Sequence, residues 1–397
     1  MATIQQLRRS ARLAQRWDTD LDDIYSPGGH HVADDTDSLD DGDDNLVDDN
    51  LDDENLDDDN LDDDSPDEDD ENMENVKHPS YRVNCLESNH IIFRHPQDPL
   101  PDVVATHVQH LASTTPKMPN LDPEMVAKAT YDLDTLGMGC NETDISSYLN
   151  AHLFPQGAAT RFPTQRLLSV AGTHMARHLL PNLPTSEAPW AVTQPRPDLL
   201  YGYPKTPTFS SAQSMTLIQG LHGQIPAYAQ ASPGLWFPFF TVEFKATAGT
   251  QGNLWVAANQ CAGILAACIQ AVNQLNTALQ HVGCDRQHVS NLCYGLAIDN
   301  SLAQLYVSWG ARGRGHHPVV YVQRVGSFLL SDAKDFARLY QWVMAILDWG
   351  QGGRLENIQL ALDSIREEQQ KAVSGAAQSQ PSPEREAGLE KKRRRLK

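Results

Sequence analysis

The chain has 397 residues, enough for one large domain or two ordinary ones, and a formal net charge of -21. The charge is segregated: residues 18–74 hold 28 Asp and Glu and no Lys or Arg, residues 1–17 and 376–397 are each net basic, and residues 75–375 are close to neutral. Six cysteines without a CxxC pair argue against a structural zinc site and for a reducing compartment, and no run approaches 18 apolar residues, so no transmembrane helix is expected.

In chain order, Arg8, Arg9, Arg12 and Arg16 open a stretch that weakly resembles a mitochondrial transit peptide. Residues 45–64 repeat Asn-Leu every five positions, but dense like charge and little apolar area predict disorder for this acidic arm. Such an arm can compete with a phosphate backbone for a basic site. Residues 77–125, dotted with proline, read as an irregular lead-in. Helices are predicted over 123–136 and 142–153, the second capped by Asn141. The apolar spacing of Leu167, Leu168, Ala171, Met175, Leu179 and Leu180 predicts a further helix over 164–180. It would place His174 and His178 at i and i+4, a spacing that metal sites use, though no third ligand is in view.

Residues 190–203 read as extended, with Asp198 opening a strand. A Pro- and Gly-punctuated insertion follows over 204–237, with one short helix near 211–221. Residues 238–246 form the strongest strand signal. Residues 252–281 give the longest helical one, with Asn253, Ala257, Gln260, Ile264, Ala267, Cys268, Ala271 and Leu275 along one stripe. Strands are then predicted over 291–298, 302–309 and 319–325. Asp299, Asn300 and Ser301 make the first turn between them. The second is a loop over 310–317, either an exposed hairpin tip or a phosphate-holding loop, whose Arg312, Arg314, His316 and His317 are the candidate contacts. Asp332 caps a helix to 348, and another runs over 354–371. The basic cluster at 391–397 reads as a nuclear-import patch and points to the nucleus, with the cytoplasm as the alternative.

On the strand at 238–246, Phe240, Val242, Phe244 and Ala246 share one face, while Thr241, Glu243 and Lys245 share the other. Glu243 and Lys245 are then held about 7 Å apart along the strand. Such a pair is either an ion pair on the solvated face of an edge strand, or a metal ligand beside a cationic donor. Taken with Asp198 and Gln260, the second reading gains weight. Two carboxylates from adjacent strands can hold Mg²⁺, which prefers hard oxygen ligands and keeps several waters. A metal there would lower the pKa of a bound water, and Lys245 would stabilise charge developing on a phosphoryl oxygen.

Pro197-Asp198, Glu243-Phe244-Lys245 and Gln260, in that order and with strands and helix between them, resemble the motifs of the PD-(D/E)XK nuclease superfamily, over roughly residues 160–345. The text at 197–203, 237–246 and 294–309 is similar to a fungal group within it. The resemblance implies an α/β restriction-endonuclease-like core, a mixed central sheet flanked by helices, with helical additions and disordered termini. It divides the chain into an arm (1–76), a helical lead-in (77–160), the nuclease-like domain (161–371) and a basic tail (372–397). It implies Mg²⁺ (or Mn²⁺) on Asp198 and Glu243, catalysis by those two with Lys245 and Gln260, DNA as partner and no membrane. Two departures are visible: no Glu lies between 164 and 180, where some members carry one, and the 45 residues from Asp198 to Glu243 require an insertion that leaves the sheet. The near-neutral charge of 75–375 also suits a non-catalytic interaction module on the same scaffold.

Overall fold

The computed structural model describes residues 75–114, 122–154, 166–181, 190–219, 229–246, 253–284, 288–312 and 318–379. The Arg-rich start, the acidic arm and its repeat, the loop positions 313–317 and residues 380–397 of the basic tail fall outside them, while residues 372–379, expected to be disordered, continue the helix Leu355–Ser379.

Eight strands form one mixed sheet: β1 (Ile91–Arg94), β2 (Leu168–Val170), β3 (Leu199–Pro204), β4 (Gln230–Ser232), β5 (Leu235–Phe244), β6 (Cys293–Ile298), β7 (Leu302–Arg312) and β8 (Pro318–Leu329). Their order is β1-β8-β7-β6-β5-β3-β2, with β4 also pairing β5. β5 and β6 are parallel, as are β1 and β8, and the remaining pairs are antiparallel. The helices are α1 (Asp102–Ser113), α2 (Pro123–Leu136), α3 (Glu142–His152), α4 (Ser211–Gln219), α5 (Leu254–His281), α6 (Ala333–Trp349) and α7 (Leu355–Ser379). The architecture is therefore α/β, a mixed sheet flanked by helices.

β5 lies inside that sheet, between β6 and β3, and every residue in it is buried. A strand covered on both faces has no solvated side, which removes the edge-strand reading of Glu243 and Lys245. α5 joins β5 to its parallel neighbour β6, as a parallel pair requires of its crossover. Small residues let this helix lie close to the sheet. A Cβ on Gly295 would stand 3.0 Å from Leu265, and one on Gly310 would stand 2.9 Å from Ile269. By length and composition α5 is apolar enough to cross a membrane, contrary to the sequence reading, but 83% of its most apolar window is buried in the fold. α6 and α1 cover the opposite face, where His107 and Trp349 pack on Tyr294.

Three expectations are corrected here. Residues 77–125 are not an irregular lead-in, because β1 pairs with β8 at the sheet edge and α1 packs on α6. β1 and α1 thus belong to the same sheet and helical layer as the later elements. The helix expected over 164–180 does not form: Leu168–Val170 is strand β2, and Arg177–Leu179 is a short 3-10 turn. Neighbouring extended chain takes its amides instead, with Gly172 bonded to Pro197, Met175 to Pro195 and Ala176 to Ala231. His174 and His178 thus share no helix face. The insertion between β3 and β5 does leave the sheet, and its α4 packs on α7.

Candidate active site

β3 and β5 run antiparallel with Leu199 opposite Val242, so one step further Asp198 meets Glu243. Asp198 Oδ2 accepts the Phe244 amide at 2.8 Å, and the Asp198 amide donates to Glu243 Oε1 at 3.3 Å. Glu243 is 1% exposed, and its Oε2 has no hydrogen-bond partner among the described residues. Burial first, and then the Asp198 charge, push the Glu243 carboxyl well above the usual carboxylate range, while Lys245 opposes them. Two carboxylates held this close, one of them with an orphaned buried oxygen, form a donor set whose repulsion a cation would relieve.

Lys245 shares the Glu243 face and is 5% exposed. Its amide donates to Ile298 at 2.9 Å, which carries the β5–β6 ladder one step beyond the strand end. Its Nζ donates to the Phe244 carbonyl at 2.7 Å and to Glu142 Oε2 at 3.3 Å. Glu142 is the residue that sequence reasoning missed. It is the first residue of α3, whose Asn141 and Asp144 form a reciprocal capping box. An acidic residue in a first helical turn is what the helix dipole favours anyway, so no local signal marked it. A further carboxylate thus reaches Lys245 from an element other than residues 164–180.

Gln260 lies on α5, and its buried Oε1 also has no partner among the described residues. It precedes Cys261, whose thiol is pushed up by burial and then by the Glu243 and Asp198 charges. The structure thus bonds Asp198 to Glu243, brings the Lys245 charge close enough to act on Glu243, and places Gln260 next to Cys261, whose thiol feels both carboxylates. Arg312 ends β7 as an exposed residue, and no contact ties it to this cluster. Arg314, His316 and His317 lie outside the described residues.

The donor set fits a hard divalent cation. Among the described residues no three or more His, Cys, Asp or Glu converge, so Asp198 and Glu243 would hold it with water completing the shell, as suits Mg²⁺. No curated protein matches the chain. Residues 135–362, more than half of the chain and all of this cluster, match a family described as a domain of unknown function, DUF7924. By that match the chain belongs to the DUF7924 family.

Proposed function

We propose that this protein is a Mg²⁺-dependent (or Mn²⁺-dependent) nuclease that hydrolyses phosphodiester bonds in DNA, with the nucleus as its compartment. The observation that carries this reading is Glu243: a fully buried carboxylate with an unpaired oxygen, pressed against Asp198, with Lys245 on the same strand face. The order of elements supports it. An antiparallel run β2–β3–β5 leads through α5 to a parallel β6, which is the arrangement the resemblance to restriction-endonuclease-like cores implies.

The chain's own groups divide the work. Asp198 and Glu243 would hold the cation, which when bound supplies an activated water and neutralises phosphoryl charge. Lys245, held by Glu142, would stabilise charge developing on the phosphate. Gln260 offers its unpaired amide to orient water or substrate. Burial of the cluster beneath α5 strengthens each of these interactions.

The test is incubation of the full chain with plasmid, linear and single-stranded DNA and with RNA, in Mg²⁺ or Mn²⁺. Cleavage that falls at least about 100-fold in Lys245→Ala and Asp198→Ala is expected. Absence of cutting on every substrate, or cutting that survives both substitutions, ends the proposal. A second reading, a catalytically inactive nuclease-like module for nuclear interaction or nucleic-acid binding, is favoured by the engagement of Lys245 Nζ with Glu142 and Phe244. Titration calorimetry separates the two: a Mg²⁺ or Mn²⁺ signal that disappears in Glu243→Ala counts for the enzyme.

A further inference from the structure

The carboxylate pair has an open side. Glu243 is 1% exposed, but Asp198 is only half-buried, so a phosphate reaches a cation on the pair from the Asp198 side. The chain leading into Asp198 forms the rim there. Its exposure alternates: Pro195 and Pro197 are buried, Arg196 is exposed and Asp198 is half-buried. That alternation is the period of extended chain, which puts Arg196 and Asp198 on one face, about 7 Å apart along the backbone. The rim is held on two sides. The Pro197 carbonyl accepts the Gly172 amide at 2.8 Å, and the Pro195 carbonyl accepts the Met175 amide at 2.9 Å. Val192 and Pro195 lie against Gly263 of α5, where a Cβ would stand 3.4 and 3.7 Å from them.

Two guanidiniums are fixed on this rim by the same part of their side chains. Arg196 Nε donates to the Gly172 carbonyl at 2.8 Å, and Arg177 Nε donates to Gln194 Oε1 at 3.0 Å. Gln194 is itself tied down, since its Nε2 donates to the Met175 carbonyl at 2.8 Å. Both arginines are exposed, and neither is in an ion pair among the described residues. Arg338 and Arg366, by contrast, face carboxylates of their own helices. Residues 166–181 and 190–197 contain no Asp or Glu, so the near-neutral sum of 75–375 conceals a local positive strip that ends at Asp198. A guanidinium oriented through its Nε presents its Nη atoms outward, the end that meets a phosphate as a fork.

We propose that Arg196 and Arg177 form a phosphate-binding rim for the backbone of a nucleic-acid strand. Arg196 holds the phosphate next to the one at the Asp198–Glu243 pair, and Arg177, carried by Gln194 two residues further back, holds one beyond it. The proposal rests on the nucleic-acid reading of that pair. Two forks in line with a cation site suit a chain of phosphates better than a lone anion. Contacts of this kind position a strand without reading its bases.

The experiment uses the full chain with a chelator present, so that nothing is cut. A short fluorescein-labelled DNA duplex and its single strand are titrated by anisotropy across a salt series. Arg196→Gln should weaken binding about 3- to 10-fold at low salt. It should make the slope of log affinity against log salt shallower by about 0.9 on the duplex, or about 0.7 on the single strand, the share of one phosphate contact. Arg177→Gln should lower the slope by a similar amount, and the double variant by about twice that. Arg166→Gln removes an exposed arginine at the other end of β2 and should change neither affinity nor slope. If Arg196→Gln does not fold, Arg177→Gln decides. A lower melting temperature with an unchanged slope would make the two arginines ties between chain segments and overturn the proposal. An equal loss of slope in Arg166→Gln, or no binding of either DNA, overturns it as well. The two readings fail separately. Protein that cuts nothing but binds DNA through Arg196 keeps the rim and loses the nuclease. Cutting, with a salt slope indifferent to Arg196 and Arg177, keeps the nuclease and loses the rim.

Discussion

The two ends of β5 each bury a charge, and they treat it in opposite ways. At the C-terminal end, Glu243 is 1% exposed beside a second carboxylate, with one oxygen unpaired. Towards the N-terminal end, Arg354 is 2% exposed and has no carboxylate partner among the described residues; its Nε is unbonded there too, yet both its Nη atoms find neutral acceptors. Its two Nη atoms donate to the Ser290 and Pro238 carbonyls at 3.3 and 3.4 Å, and its plane lies 5.5 Å from both the Phe239 and Trp349 rings. Arginine tolerates such lodging because it is delocalised and weakly hydrated. A carboxylate, an acceptor only, has no comparable set of neutral neighbours here. The difference separates a buried charge that ties elements together from one that is pressed against a like charge.

The largest expected effect comes from breaking the first of these. Arg354→Met keeps much of the volume but strips two carbonyls of a charged donor, at about 1.5–3 kcal/mol for each lost bond. Urea unfolding should show a loss of roughly 3 kcal/mol or more, with any nuclease activity at low temperature retained. A loss under about 1 kcal/mol would show that Arg354 ties nothing.

Gly350, on the turn between α6 and α7, is next. A Cβ there would stand 2.1 Å from the Phe239 ring, while the Gly350 carbonyl accepts Tyr203 Oη at 2.7 Å. Gly350→Ala should cost about 1–3 kcal/mol through overpacking, again read from the denaturation midpoint. Asn141→Ala should cost about 1 kcal/mol through the lost cap, and it should lower cleavage further by loosening Glu142 beneath Lys245. Equal activity in the capped and uncapped proteins would detach Glu142 from the site.

The most selective test concerns the sign of a pH dependence. The folded-state pKa of Glu243 is raised, so the folded protein binds more protons than the unfolded chain between the ordinary carboxylate value and the raised one. Its contribution is fully present below about pH 4.5 and is lost as pH rises through the folded value. Glu243→Gln should remove that decline: the two proteins melt alike at low pH, and the variant gains as pH rises. Mg²⁺ should narrow the gap by stabilising wild-type protein alone. Parallel melting curves across pH would show that Glu243 is already compensated in the fold.

The sequence by itself determined the period-two pattern of β5, the faces of Glu243 and Lys245, the long apolar helix that follows and the caps at Asn141 and Asp332; Asn253, read as part of the helical stripe, is the cap of that helix in the structure. Each of these is local, written in spacing or in a side chain bonded to its own turn. Tertiary structure alone decided the rest. Residues 166–180 carry a helical spacing, but their amides find better partners in Pro195, Pro197 and Ala231 than in one another. Ile91–Arg94 is too short to announce itself and becomes a strand because β8 presents a parallel edge to it. Glu142 reaches Lys245 across 103 residues of chain, and Arg82 reaches Asn259 across 177. A sequence shows which groups will be costly to bury; only the folded chain shows which of them it has left without a partner.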